Sequence, residues 1–213
     1  MRAIHTAVLL VLGVAGGVAA AQPVPVVGSL GKTDVGVSLY GAFSPKVTDS
    51  NGNVQSPSNS AGGMVELRHL SNAIFGFEGT YSFNHATQTY QNLITCPVGS
   101  TLCSPSQEVR ANAHEVTLDW VPSLHFANLR PFGVLGVGAL FNVPSSGQNN
   151  TQTETKPVYV YGAGLDWGVL PHLGLRLQYR GNLYSAPHVT TLFTSMGKFT
   201  QTAEPMIGVY FRL

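Results

Sequence analysis

Residues Leu173 to Leu183 set the tightest limit on what this chain can become. Leu173, Leu175, Leu177, Tyr179, Gly181 and Leu183 alternate with Gly174, Arg176, Gln178, Arg180 and Asn182. A period of two belongs to an extended strand, which sends successive side chains to opposite faces. One face here is apolar and the other carries two full charges. A run of about ten residues is also the length that a tilted strand needs to cross a bilayer.

The pattern recurs along the chain. Val35, Val37, Leu39 and Phe43 alternate with Asp34, Gly36, Ser38 and Tyr40, and Phe75, Phe77, Tyr81 and Phe83 with Gly76, Glu78, Thr80 and Ser82. Shorter matches set Val65 and Leu67 against Met64, Glu66 and Arg68; Val116, Leu118 and Trp120 against Glu115, Thr117 and Asp119; and Tyr159, Tyr161, Leu165 and Trp167 against Gly162, Gly164 and Asp166. Ile207, Val209, Phe211 and Leu213 against Met206, Gly208, Tyr210 and Arg212 end the chain. The segment Phe132 to Phe141 is apolar at both parities, so its inward face is left open. With it the strands number eight. Breakers rich in Gly, Pro, Ser and Asn separate them and no amphipathic helix interrupts, so the class is all-β.

Alternation alone leaves open whether the apolar face meets lipid or fills a soluble interior. The placement of charge decides between these. Asp34, Glu66, Arg68, Glu78, Glu115, Asp119, Asp166, Arg176, Arg180, Glu204 and Arg212 all fall on the polar face, while Lys32, Lys46, Lys156 and Lys198 lie at strand ends or in connections. A charge facing the bilayer midplane costs about 2–4 kcal/mol for Arg or Lys, so a membrane wall excludes it. Charged residues make up only 10% of the chain, against about 25% in ordinary soluble domains, which also points to a surface covered by lipid. Eight strands enclose a lumen that side chains fill. Glu66, Arg68, Glu78, Glu115, Asp119, Asp166, Arg176 and Arg180 are therefore expected to form a buried ionic network, in which the planar fork of Arg can pair with two carboxylates at once.

The connections alternate in length. Long ones run from Pro45 to Ala61, Asn84 to Gln107, Val143 to Lys156 and Ser185 to Lys198; short ones fall at Ser71-Asn72, Pro122 to Arg130 and Val169 to His172. An up-and-down barrel with both termini in the periplasm requires this order, with the long set extracellular. Trp120 and Trp167 then both stand at the periplasmic end, at headgroup level.

The N-terminus supplies the export route. Arg2, the apolar run Ala7 to Val18 and the small residues Ala19-Ala20-Ala21 match a secretory signal peptide over residues 1–21. A Pro-rich leader over 22–31 and a barrel domain over 32–213 follow. The apolar run is short of the roughly 20 residues of a spanning helix. Export to an oxidising compartment makes Cys96 and Cys103, in CPVGSTLC, a candidate disulfide. The competing metal reading has only His85 and His114 nearby in sequence.

The ending Met206-Ile207-Gly208-Val209-Tyr210-Phe211-Arg212-Leu213 resembles the C-terminal β-signal of outer-membrane proteins, with Gly208 followed by alternating apolar or aromatic positions through Phe211 to Leu213. The usual final residue of that signal is Phe, and Leu213 stands in its place. Taken with the eight strands and the long and short connections, the chain resembles the outer membrane protein A-type β-barrel domain family. The resemblance implies outer-membrane lipid as surroundings, and the barrel-assembly machinery and periplasmic chaperones as partners in biogenesis. The separate peptidoglycan-binding domain that some relatives carry is not expected in a chain that ends at the barrel.

Little in the sequence points to catalysis. The rim candidates His85, Glu108, His114, Glu154 and His188 are scattered over different connections, and no Asp-x-Asp or His-x-x-x-His spacing accompanies them. His69, His125 and His172 lie near short turns, where an apolar body with a polar tip suits the headgroup region. Gly133, Gly136 and Gly138 precede no helix, so they read as space-makers in a strand and not as a phosphate loop. Lys and Arg number 11 against 10 acids, a balance that gives no basis for a nucleic-acid partner. No cofactor is expected.

The leading expectation is a non-enzymatic outer-membrane barrel with a structural or surface-interaction role carried by its extracellular loops, whose ligand the sequence does not name. The loop Asn84 to Gln107 is the candidate contact surface. The alternatives are a narrow channel for ions or small hydrophobic solutes and a secreted soluble ligand-binding barrel. Alkylation of the unreduced, denatured protein is expected to leave Cys96 and Cys103 unmodified, with both becoming reactive after reduction; modification before reduction would remove the disulfide.

Overall fold

The computed structural model describes residues 32–49, 52–92, 106–192 and 197–213. The strands are β1 (Lys32–Ala42), β2 (Val47–Thr48), β3 (Asn53–Pro57), β4 (Ser60–Leu70), β5 (Gly76–Asn92), β6 (Gln107–Trp120), β7 (Leu129–Pro144), β8 (Glu154–Gly168), β9 (Leu173–Ser185) and β10 (Phe199–Arg212). Eight of them, β1 and β4 to β10, form an antiparallel up-and-down barrel. It closes where β1 pairs with β10, Asp34 opposite Arg212 and Val37 opposite Val209. The short strands β2 and β3 form a hairpin that extends the extracellular rim by pairing with the end of β5.

The register fixes the width. Cross-strand partners lead from Thr33 through His69, Phe77, Trp120, Leu135, Tyr161, Gly181 and Ala203 to Phe43, ten residues along β1 from the start. An offset of ten residues at about 3.3 Å each, spread over eight strands about 4.8 Å apart, tilts the strands by about 40° and closes a backbone cylinder of about 8 Å radius. Inward side chains from opposite walls therefore meet.

The two faces divide as their chemistry dictates. Leu39, Ile207 and Leu177 stand side by side on three neighbouring strands and are 68%, 58% and 55% exposed, although all three are large and apolar. They form part of a continuous outer belt with Val65, Leu67, Phe83 and Val116. The inward positions of the same strands are buried and polar, among them Asp34, Ser38, Glu66, Arg176, Gln178 and Glu204. Trp120 lies at the periplasmic end, where its Nε1 donates to the Ile74 carbonyl at 2.6 Å.

Several boundaries differ from the sequence expectation. Residues 84–92 are not loop: β5 continues to Asn92, paired on one side with β3 and on the other with β6. Its outer end carries Thr, Gln and Tyr on both faces, so no apolar stripe marks it as strand. Phe75 falls in the β4–β5 turn, which Asn72 organises by accepting the backbone N–H groups of Ile74 and Phe75 at 2.9 and 2.8 Å. The connection read as Pro122 to Arg130 ends early, because Leu129 and Arg130 already belong to β7 and pair with Trp167 and Asp166. The open face of β7 is now assigned: Phe132, Val134, Leu140 and Asn142 point into the lumen, while Leu135, Val137, Phe141 and Val143 point outward. Both faces are apolar because the lumen holds its own small apolar cluster, in which Phe132, Val134 and Leu140 pack with Val121, Val158 and Val160.

Replacing Ile207 with Arg places a charge in the middle of the apolar belt. The expected destabilisation is about 2–4 kcal/mol, read as a lower urea midpoint for loss of the compact form that runs fast on gels without boiling. An unchanged midpoint would mean that this face does not meet lipid.

Candidate functional site: the lumen and its extracellular mouth

The inward side chains form two charged tiers. The periplasmic tier is centred on Asp166 of β8, whose carboxylate accepts from three arginines. Arg176 of β9 donates through Nε at 2.7 Å and Nη2 at 3.1 Å, Arg130 of β7 through Nε at 3.0 Å and Nη2 at 2.6 Å, and Arg68 of β4 through Nη1 at 3.2 Å. Each arginine then reaches a second acid. Arg68 Nε donates to Glu78 at 2.6 Å, Arg176 Nη1 pairs with Glu66, and Arg130 Nη2 pairs with Asp34. Glu66 is steadied by the Ser38 hydroxyl, which donates at 2.8 Å. All of these groups are buried. Their flat faces lie on aromatic rings, with the Arg68 guanidinium 4.0 Å from the Phe132 ring centre and that of Arg176 5.3 Å from Tyr210, an arrangement attractive to the ring quadrupole.

The glycines on the inner wall make this density possible. A Cβ at Gly136 would overlap the Asp119 carboxylate, and one at Gly164 would overlap the Phe132 ring. Gly138 likewise backs directly onto Thr117. Gly133 has the other parity and faces outward on β7.

The outer tier is thinner. Arg180 of β9 is its single arginine, 3.5 Å from both Glu115 and Asp119 and 3.2 Å from the Thr117 hydroxyl. Thr117 donates to Asp119 at 2.9 Å, and Asn182 Nδ2 donates to Glu115 at 2.9 Å. Glu204 of β10 completes this tier. Above it the mouth is roofed by residues 186–192, of which Ala186, Val189 and Thr190 are buried. Gln55 of β3 and Tyr90 of β5 both donate to the Pro187 carbonyl at 2.9 Å. The Gln152 backbone N–H donates to the Val189 carbonyl at 3.0 Å, and that of Thr191 to the Asn150 carbonyl at 2.9 Å. The roof thus rests on β3, β5 and the β7–β8 connection.

The eight lumen residues named from sequence stand on five strands, β4, β5, β6, β8 and β9, and meet in these two tiers. Sequence reasoning missed Arg130, which it placed in a turn, and Phe132 and Tyr210 as surfaces for the guanidinium groups. The signal for Arg130 was its even spacing from Asn142, a polar residue whose inward position would have set the parity of the strand. Cys96 and Cys103 lie outside the described residues.

The rim candidates do not converge. His85 and His114 sit near the middle of β5 and β6, where His85 Nδ1 is 2.8 Å from Asn112 Oδ1 and His114 Nδ1 is 2.9 Å from the Tyr81 hydroxyl. Glu108 is exposed on β6, and Glu154 holds Lys156 at 2.7 Å while accepting the His188 backbone N–H. Among the described residues no group of three or more His, Cys, Asp or Glu is disposed to hold a metal ion. Of the terminal signal, Gly208 packs inward on Ser38, whereas Phe211 and Leu213 are exposed.

A closed eight-stranded barrel with an apolar belt outside and paired charges inside defines an integral outer-membrane protein. The family model described as "Outer membrane protein beta-barrel domain" matches residues 6–197, and the chain belongs to that family. Among solved structures it is similar in fold to the outer membrane protein OprG of Pseudomonas aeruginosa, at a TM-score of 0.58 and 10% identity, covering 86% of this chain and 96% of that one. It is also similar to Ail, the attachment invasion locus protein of Yersinia pestis, at 0.50 and 16%, covering 87% of this chain and 100% of that one. No curated protein matches the sequence. The protein is located in the bacterial outer membrane, and the expectation of a secreted soluble barrel is overturned by the family match and by the exposed apolar belt.

Asp166 serves three arginines at once. Asp166→Asn is expected to destabilise the barrel by about 3–5 kcal/mol, the range for breaking a buried pair. Glu154→Gln at the partly exposed rim is expected to cost about 1 kcal/mol or less. Urea titration of the compact form measures both, and equal effects would show that the central tier is not the stabilising one.

Proposed function

We propose that this chain is a non-enzymatic outer-membrane barrel that acts through its extracellular surface, with the lumen serving as a plug and not as a path. The observation that carries the reading is the Asp166 tier. Arg68, Arg130 and Arg176 converge there from three strands and, with four carboxylates, fill a cylinder of about 8 Å backbone radius. Opening a water path through it would separate several buried ion pairs, each leaving an uncompensated charge. The roof over residues 186–192 supports the same reading, because it covers the mouth with buried, hydrogen-bonded backbone.

A rigid wall with its charges locked inside leaves the rim and loops as the variable surface, and loops on a rigid scaffold are where binding resides. The β2–β3 hairpin, the outer extensions of β5 and β6 and the roof form one hydrogen-bonded platform for such contacts. In the same reading, Gly208, Phe211 and Leu213 are the terminal signal offered to the barrel-assembly machinery, and residues 1–21 are the export signal.

The test against the channel alternative is single-channel recording of the refolded protein in planar bilayers. A closed baseline at moderate voltage is expected across repeated insertions. Steady conductance steps in the wild-type protein would replace the plug by a pore.

A further inference from the structure

The two lumen tiers are unequally neutralised. In the periplasmic tier Arg68, Arg130 and Arg176, with Arg212 at the edge 3.8 Å from Asp34, face the four acids Asp34, Glu66, Glu78 and Asp166. In the outer tier Arg180 alone faces Glu115, Asp119 and Glu204, which leaves two negative charges in excess. Three buried oxygens there lack a donor, Asp119 Oδ1 among them, and Arg180 Nε lacks an acceptor. Glu204 is 5% exposed and Asn182 1%, yet Glu204 Oε2 and Asn182 Oδ1 have no hydrogen-bond partner. A buried acceptor left unpaired, and still more a buried charge, carries its full desolvation penalty.

Glu204 and Asn182 line one chamber, shared with Glu115, Tyr40, Ser82 and Asn142, whose Nδ2 also lacks a partner, and reaching the extracellular rim at Ser58 and Ser60. It leaves about 40 Å³ to water-sized occupants, room for roughly three at the 10–15 Å³ each requires. The side chains around it that could serve as ligands present oxygen and no sulfur or imidazole. Glu115 accepts from Asn182 Nδ2, while Asp119 accepts from the Thr117 hydroxyl and does not line the chamber.

We propose that this chamber binds one hard divalent cation of the calcium class. Glu204, Glu115 and the Asn182 side-chain carbonyl are its protein ligands, and water completes the shell. The cation supplies the missing positive charge and the missing partner for Glu204 Oε2 and Asn182 Oδ1. Calcium accepts six to eight oxygens in irregular geometry, whereas magnesium demands a near-ideal octahedron and gives up its waters reluctantly. With only two carboxylates the site belongs to the weak class, with dissociation constants of about 10⁻⁴–10⁻³ M.

The experiment uses the full mature protein, refolded in detergent and freed of metal with a chelator. The temperature at which the compact band is lost is followed from 0.1 to 10 mM calcium chloride, with ionic strength balanced by choline chloride. A rise of about 5 °C is expected for the wild type, as mass action on a weak site predicts. Magnesium chloride should produce a smaller rise. Glu204→Gln should stay heat-modifiable and lose the calcium response, and Glu108→Gln on the exposed rim should keep it. An unshifted wild type whose stability instead rises on acidification would overturn the proposal, because protons would then satisfy the two acids. A calcium response that survives Glu204→Gln would overturn it as well, by placing the ion elsewhere. The wild-type comparison needs no variant to fold.

Discussion

Hydrocarbon offers a peptide group no hydrogen-bond partner, so a sheet that crosses a bilayer must close on itself. In this protein closure falls between β1 and β10, and the ten-residue offset from Thr33 to Phe43 sets how tightly the sheet is rolled. Strand number and offset together leave a cylinder too narrow to stay empty. The side chains that period two turns inward then have to fill it. The inner wall is polar because lipid takes the apolar residues on the other face, and its polar groups become buried because the cylinder is narrow.

Burying that many charges imposes its own requirements. Each guanidinium has to find acids on more than one strand, and each acid has to be small enough in number of neighbours to be reached. Asp166 meets the first need by accepting from β4, β7 and β9 at once. Gly136 and Gly164 meet the second, since any side chain there would occupy the space of Asp119 or Phe132. The ionic tier therefore ties strands that are not neighbours in the sheet, and it does so across the lumen, where backbone pairing cannot. Buried ion pairs often add little net stability over an apolar filling. Their contribution here is to specify register, because a one-residue slip of any strand would turn its charges toward lipid.

Much of this was legible in the sequence because two solvents impose one period. Leu173 to Leu183 shows both faces without ambiguity, and the charged residues it aligns with are those found in the lumen. Legibility failed where one of the solvents drops out. Along β7 the lumen itself is apolar around Phe132, Val134 and Leu140, so both parities look alike, and Arg130 beside Pro131 reads as a turn. At the outer end of β5, from Asn84 to Asn92, lipid is gone and both faces turn polar, so a strand reads as a loop. The roof is of a third kind. Pro187 is held by Gln55 and Tyr90, partners far away in sequence, and no local pattern encodes such a meeting.

The same reasoning separates the two ends of the molecule. At the periplasmic end the connections are short, the charges are matched and aromatic rings cover the guanidinium groups, so few arrangements of equal energy exist. Toward the extracellular end the arginines run out before the acids do, alanine and serine replace the large side chains, and the wall of β5 continues beyond the apolar belt. That end carries an acidic chamber beneath a hydrogen-bonded roof. A barrel built this way keeps a tightly paired ionic base in the membrane, and its less matched half lies toward the long connections.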